Sequence, residues 1–579
     1  MKKLLVLLWG LLAVPALAQT GIPVPQLAAC DALVGKFMQR WKVPGASVAI
    51  SRHGKLVYAR GFGYADLTRT EPMQPAHQLR VASVSKPVTA VAIMKLVEDG
   101  RLSLDHKVFG PEGYLQNAYY TDAVTDARIY DITVQQLLEH AAGWNRNAGV
   151  DGFPGSDPIE FPLHVAETLH APNPVGDSTL VRFLLAKGLD FDPGSRFAYS
   201  NIGYLILGKV LESVTHQPYE QWVQQHVLAP SGVHEAHLGR NLLANKLPFE
   251  AEYFSNEHDA SCYGTGKQVA MPYGGRNLEA MNAHGGWVFS ARDLVRLLLA
   301  IDGSPSHPDL LTPASVATML QPSDNNRRYA KGWMVNKGRV RWHTGSLDGT
   351  ASCVATNNEG YTWAILLNGC PAPNRFWNDL EELGWDCIKS TNDWPTLDLL
   401  PPDRQPAQLR AQPTLNGTAR LTWTPGNGTH NLVVVHEGSP AQARPLDGQL
   451  YAASSTFGYG AALGHGSFVV EAGPDSTVIV GHLTPGKTYY AQVLAYNQSE
   501  ATNHLPVYAL EGSPSVAFRL PVAPAVIAQK AKPATQATSR KASARAKARR
   551  PAQQPTAEKP ARTLPGYLGW LFGLGRAQP

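Results

Sequence analysis

At 579 residues the chain is too long for one ordinary hydrophobic core and implies two or three domains. Its 44% hydrophobic and 17% charged residues are those of a folded globular protein and exclude a wholly disordered one. The formal charge of +5 is unevenly spread: in residues 530–562 ten Lys and Arg face only Glu558, a local balance of +9 that leaves −4 for everything else.

Met1 to Ala18 opens with Lys2-Lys3, continues as the apolar run Leu4 to Leu17 and ends in Ala16-Leu17-Ala18. This is the pattern of a secretory signal peptide rather than of a membrane span. Leu27-Ala28-Ala29-Cys30 has the look of a lipoprotein cleavage box, but Gly21 to Gln26 separates it from the apolar run, and the signal-peptide reading is preferred. Gln26 to Trp41 patterns as an amphipathic helix ended by Val43-Pro44-Gly45. Ala46 to Ser51 and Lys55 to Tyr64 pattern as strands joined by a tight turn at Arg52-His53-Gly54.

The stretch Arg80 to Pro87 is the one around which the chain is organised. Ser83 and Lys86 stand three residues apart where a helix begins, which puts a hydroxyl and an amine on one face. A desolvated lysine can be neutral and take a serine's proton, so the pair can make a nucleophile without histidine. Pro87 belongs to a first helical turn, the apolar run Val88 to Val97 continues the helix, and Gly100 ends it. Ser83 therefore sits at a helix N-terminus, where free N–H groups favour an oxyanion. Taken alone, serine is as readily a plain N-cap.

Further along, Ile132 to His140 patterns as a short helix, and Ile202 to about Val227 as a long one preceded by Tyr199-Ser200-Asn201. Ala291 to Ala300 is a helical piece in a Gly-, Asn- and Pro-rich stretch. Trp333 to Val335 and Val340 to Trp342 read as strands leading into His343-Thr344-Gly345-Ser346. Tyr361 to Leu367 is a hydrophobic strand, and Arg375 to Ser390 a closing helix. Strands at both ends with helices between suggest one sheet built from both ends of an α/β (α+β) domain. Among five cysteines, one disulfide within the group Cys353, Cys370 and Cys387 is expected. No Cys-x-x-Cys or His-Glu-x-x-His spacing occurs, so no metal or cofactor is expected.

Three motifs thus occur in order: Ser83-x-x-Lys86, Tyr199-x-Asn201 and His343-Thr344-Gly345. Together they resemble the serine β-lactamase and penicillin-binding superfamily, in the branch of class C β-lactamases, D-alanyl-D-alanine carboxypeptidases and esterases. The resemblance spans residues 26–394, and includes Val43-Pro44-Gly45-Ala46 and Leu137-Leu138-Glu139-His140-Ala141-Ala142-Gly143. It implies an antiparallel sheet flanked by helices, with a helical subdomain. It also implies a Ser83 acyl-enzyme, with Lys86 and Tyr199 sharing the general-base work. Asn201 would orient Lys86 and hold a substrate amide, with His343, Thr344, Gly345 and Ser346 on the substrate side. The backbone N–H groups of Ser83 and Ser346 would form the oxyanion hole. Ser85 is the rival nucleophile but sits off the Lys86 face. His343 stands where β-lactamases of this type carry lysine, and a mostly neutral imidazole holds a substrate carboxylate less firmly. That substitution tilts the reading towards a peptidase, esterase or amidase. The absence of Gly-x-Ser-x-Gly argues against an α/β-hydrolase.

A Pro-rich linker is read at 395–410. Beyond it, 411–521 shows short strands with turn signals: Ala419 to Trp423, Leu432 to His436, Thr477 to Val480, Tyr489 to Tyr496 and Val516 to Leu520. The segment Leu483 to Tyr489, followed by Val493 to Asn497, resembles the late strands of fibronectin type III domains. Trp423 would then be a core tryptophan and Tyr489 a corner tyrosine whose hydroxyl bonds back to the backbone. Residues 522–579 read as a disordered basic tail with a short apolar end. In an exported protein its partners would be acidic cell-wall polymers or a membrane surface rather than nucleic acid. The expectation is an exported, periplasmic or secreted serine hydrolase acting on a small-molecule or peptide substrate. A penicillin-binding or β-lactam-hydrolysing protein and a catalytically silent surface-binding protein are the alternatives.

Overall fold

The computed structural model describes residues 18–522, apart from 151, 154, 156, 304–306, 372–373, 441–442, 465 and 511. The expected signal peptide up to residue 17 and the basic tail beyond 522 lie outside the described residues. A seven-stranded antiparallel sheet forms the centre, and its strands come from both ends of the first 400 residues. The order is Gln19–Thr20, Lys55–Gly63, Gly45–Arg52, Tyr361–Leu367, Thr350–Thr356, Arg341–Leu347, Met334–Val335. The two halves join where Ile50 stands opposite Trp363 and Ala46 opposite Leu367. Thr350–Thr356 is buried along its whole length, and Gly45–Arg52 and Tyr361–Leu367 nearly so, because helices cover both faces. One covering layer is built from Ala28–Trp41 and Asn374–Lys389, which meet through Phe37, Trp41 and Phe376 with ring centroids 5.6 Å apart.

The helix Ser85–Glu98 is apolar on every side and buried over nearly its whole length, the pattern of a helix inside a core rather than on a surface. The expected long helix from Ile202 is shorter. It runs Asn201–Thr215 and ends at His216, whose φ of 58° is left-handed, with Pro218 two residues on. A separate turn, Tyr219–Val223, follows.

The expected disulfide is corrected: Cys387 pairs with Cys30. Helix packing brings the first and last helices of the domain together, a proximity that spacing in sequence does not reveal. Cys353 and Cys370 are free. With its sulfur in a disulfide, Cys30 is not a lipid attachment point.

The stretch expected as linker is docked rather than loose, and its end is already a strand. Leu399 N–H donates to the Leu56 carbonyl at 2.7 Å, Leu56 N–H to Asp398 Oδ1 at 3.2 Å, and Arg296 Nη2 to the Pro401 carbonyl at 2.5 Å. Ala407–Pro413 then starts an all-β module of two antiparallel sheets. The smaller holds Ala407–Pro413, Ala419–Thr424 and Thr477–Val480. The larger holds Ser467–Gly473, His430–Glu437, Thr488–Asn497, Val507–Tyr508 and Ser515–Arg519. Strands alternate their side chains. Val433 and Val435 face the smaller sheet with Trp423 and Tyr489, while Leu432 and Val434 turn to a second cluster with Tyr496, Tyr508 and Ala76 of the first domain. A buried ion pair, Arg292 with Asp447 at 3.2 Å, and the Arg444 guanidinium 3.9 Å over Phe249 complete this contact.

The Cys30–Cys387 bond closes a loop that holds nearly the whole first domain, with a sequence separation of 357. Removing it with the double change Cys30→Ser, Cys387→Ser should lower stability by roughly 2–5 kcal/mol, the usual cost for a long native loop. Denaturant melts of the two proteins check this, and coincident melts would contradict it.

Candidate active site

Ser83 lies in the tight turn Ala82–Val84 between the strand Gln78–Arg80 and the helix Ser85–Glu98. The preceding Ala82 takes φ of 49°, a left-handed value costly for a residue with a Cβ. The turn is pinned from two sides. Val81 N–H donates to the Trp287 carbonyl at 2.9 Å, and Ser352 Oγ donates to the Val81 carbonyl at 2.7 Å. Gly345 lets the strand Arg341–Leu347 come this close, since a Cβ there would lie 2.1 Å from the Val81 oxygen.

Lys86, the second residue of the helix Ser85–Glu98, is wholly buried. Its Nζ lies 3.1 Å from Ser83 Oγ, 2.9 Å from Asn201 Oδ1 and 2.9 Å from the His284 carbonyl oxygen. Burial drives its pKa well below the ordinary lysine value; the Asp157 charge opposes this shift, and the Arg146 charge adds to it. A neutral amine has two N–H groups and one lone pair. With two carbonyl oxygens taking its N–H groups, the amine in its neutral form would turn its lone pair to Ser83 Oγ. Asn201 holds its orientation because its Nδ2 donates to Asp157 Oδ2 at 2.7 Å, which turns Oδ1 towards Lys86. Asp157 itself is buried, and desolvation pushes its carboxyl up to about 6.

Tyr199 hydrogen-bonds Ser83, and its ring carries Lys86 Nζ at 4.9 Å and the Arg146 guanidinium at 4.9 Å. Desolvation raises its pKa above the ordinary phenol value. The expectation that Lys86 would help Tyr199 ionise is therefore revised: burial disfavours the charged form of both groups, the ammonium as well as the phenolate. Ser85, the rival nucleophile, is fully buried and accepts the Trp287 N–H at 3.2 Å.

Ser83, Asn201, Ser346, Arg146 and His284 line a cleft of about 1150 Å³. His343, Thr344 and Gly345 do not. The expected strand extends through all of them, and its alternation turns His343 inward. His343 is 2% exposed. Its Nδ1 donates to the Thr344 carbonyl at 2.7 Å, and its Nε2 meets the Tyr329 hydroxyl at 3.3 Å. Desolvation drops its pKa to about 3, so it is a neutral wall residue and not a contact on the cleft surface. Tyr329 passes the contact on to His140 Nε2 at 3.1 Å, and His140 packs against Tyr199 with ring centroids 4.3 Å apart and the rings tilted by 36°. The stretch Leu137 to Gly143 thus gives structural support to Tyr199, reinforced by the buried pair Glu139–Lys331 at 2.8 Å.

Sequence reasoning missed Asp157, Arg146 and Tyr329. None belongs to a short motif, and only folding brings them beside residues that do.

The β-lactamase family model matches residues 30–383, more than half the chain. The chain is 27% identical to Protein flp of Staphylococcus aureus strain MW2 over 348 residues, 58% of this chain and 62% of that protein. It thus spans less than two thirds of that relative's length. It is 28% identical to Esterase EstB of Burkholderia gladioli over 303 residues, 50% of this chain and 73% of that one. Among solved structures, D-amino acid amidase from Ochrobactrum anthropi SV3 superposes with a TM-score of 0.48 at 20% identity, covering 63% of this chain and 99% of that one. The chain belongs to the β-lactamase family of serine hydrolases.

Proposed function

We propose that the protein cleaves an ester, an amide or a D-amino-acid peptide through an acyl-enzyme on Ser83. The observation that carries this reading is the buried Lys86 amine, 3.1 Å from Ser83 Oγ, with both its N–H groups taken by oxygen. In this reading the Ser83 proton moves to the Lys86 lone pair as Oγ attacks the carbonyl carbon. The backbone N–H groups of Ser83 and Ser346 receive the oxyanion at the helix N-terminus. The protonated lysine returns its proton to the leaving group through the Tyr199 hydroxyl, which stays a phenol throughout. Water then repeats the sequence on the acyl-enzyme and restores Ser83.

Export is part of this reading. The Lys2-Lys3 leader supports it, and so does the Cys30–Cys387 bond, which persists in oxidising compartments. The all-β module is a spacing or binding unit of fibronectin type III kind, supported by Thr484 N–H donating to the Tyr489 hydroxyl at 3.0 Å. The basic stretch 530–562 attaches to acidic cell-wall polymer or lipid head groups.

The first test is intact mass against time after mixing with p-nitrophenyl butyrate or benzylpenicillin, beside Ser83→Ala. A transient adduct on wild type, with turnover at least roughly a thousandfold slower in the variant, is expected. A lasting penicillin adduct would favour a penicillin-binding protein, and no adduct with any substrate the silent-protein alternative. The pH profile is a second check. As Lys86 must be neutral, kcat/KM on a neutral ester should rise to its plateau well below the ordinary lysine pKa of about 10.4. A rising limb centred near 10 would sink the neutral-lysine mechanism.

Asp157 gives a linkage prediction. Its folded pKa, about 6, is above the ordinary 3.8, so its contribution to stability is full below the ordinary value and lost as pH rises through about 6. Asp157→Asn should therefore be more stable than wild type at pH 8, by up to about 3 kcal/mol, with the difference closing towards pH 4. Its kcat should fall, because Asn201 loses the anion that orients it. Melts at several pH values and steady-state kinetics read the two effects separately.

A further inference from the structure

Four cations line the cleft around Ser83: Lys42, Arg69, Arg146 and Arg276. Arg276 is engaged by Glu160 and by Asp348, the latter at 2.9 Å. That leaves Lys42, Arg69 and Arg146 against Glu257 and the second carboxylate on Arg276, an excess of one positive charge in a concave site. Arg146 is the cation set at the reaction centre. Its guanidinium lies over the face of the same Tyr199 ring that carries Lys86 Nζ. Among the described residues its partner is that ring rather than a carboxylate. The side chain is exposed to the cleft and presents a planar fork that matches two carboxylate oxygens. The strand position where β-lactamases of this kind hold a lysine offers no such group, since His343 is buried and neutral.

We propose that Arg146 is the anion-recognition group of this cleft, and that the substrate carries a carboxylate close to its scissile bond. The proposal rests on the Ser83 hydrolase reading and narrows its substrate class. It places recognition on the loop that follows the helix Val134–Leu138, instead of on the strand Arg341–Leu347.

The test uses the full-length protein and two matched pairs of esters. Mono-p-nitrophenyl glutarate with p-nitrophenyl butyrate puts the carboxylate on the acyl side. The butyrate ester of 4-hydroxybenzoate with phenyl butyrate puts it on the leaving group. The readout is the ratio of kcat/KM within a pair, which cancels any effect of Arg146 on the base. In at least one pair Arg146→Gln should lower the charged-to-neutral ratio about tenfold, the loss of one charge-assisted hydrogen bond. Arg146→Lys, which keeps the charge but not the fork, should recover much of it. A change below about threefold in both pairs, with wild type turning over the neutral esters, overturns the anion subsite and leaves the hydrolase reading intact. No turnover of any of the four esters and no adduct on Ser83 overturns both.

Discussion

Everything at this site depends on the burial of one ammonium-forming group. Lys86 is placed where water cannot solvate a charge, on a helix buried over nearly its whole length, so the protein shifts it towards the neutral amine. The same burial sets its neighbours. Asn201 and the His284 carbonyl exist in the site as acceptors for the amine's two N–H groups, and Asp157 exists to hold Asn201 the right way round. Tyr199, desolvated by the same burial, is held as a phenol. The cost of such an arrangement is visible in Asp157, which ionises reluctantly, and in Ala82, held at a left-handed φ.

Much of this was legible in the sequence because it is local. A serine and lysine one turn apart, with a proline just inside the helix, specify their own geometry. The strand Tyr361–Leu367 and the Cys30 and Cys387 helices were legible for the same reason, each carrying its own period. What was not legible depends on tertiary packing. Arg146 and Asp157 lie in a loop region with no period to read. The partner of Cys387 is set by helices that meet only after the sheet has formed. The role of His343 turned on which face of a strand it occupied: the motif gave its neighbours but not the burial that neutralises it. The strand Ala407–Pro413 was hidden because it is half exposed at a sheet edge, beside proline-rich sequence.

The all-β module is more than an appendage. Its larger sheet buries side chains on both faces, one against its own partner sheet and one against the catalytic domain, and so His430–Glu437 shows a run of five buried residues. The Arg292–Asp447 pair lies in that contact, where a charge left without its partner would be costly. The docked strand-like segment around Leu399 ties the same two bodies together through backbone hydrogen bonds. The module is therefore held in one orientation relative to the cleft.

The central sheet has a consequence for how the protein comes into being. Gly45–Arg52 has Tyr361–Leu367 as its neighbour, so the first hairpin has no partner on that side until the last strand of the domain exists. The Ser83 turn, too, is held by Ser352 and Gly345, residues from that late segment. Contacts so distant along the chain make folding slow, because a long loop must close before they form. For the exported protein proposed above, a chain that stays unfolded while it crosses a membrane gains from such a topology. Its nucleophile cannot assemble until nearly the whole catalytic domain is present on one side.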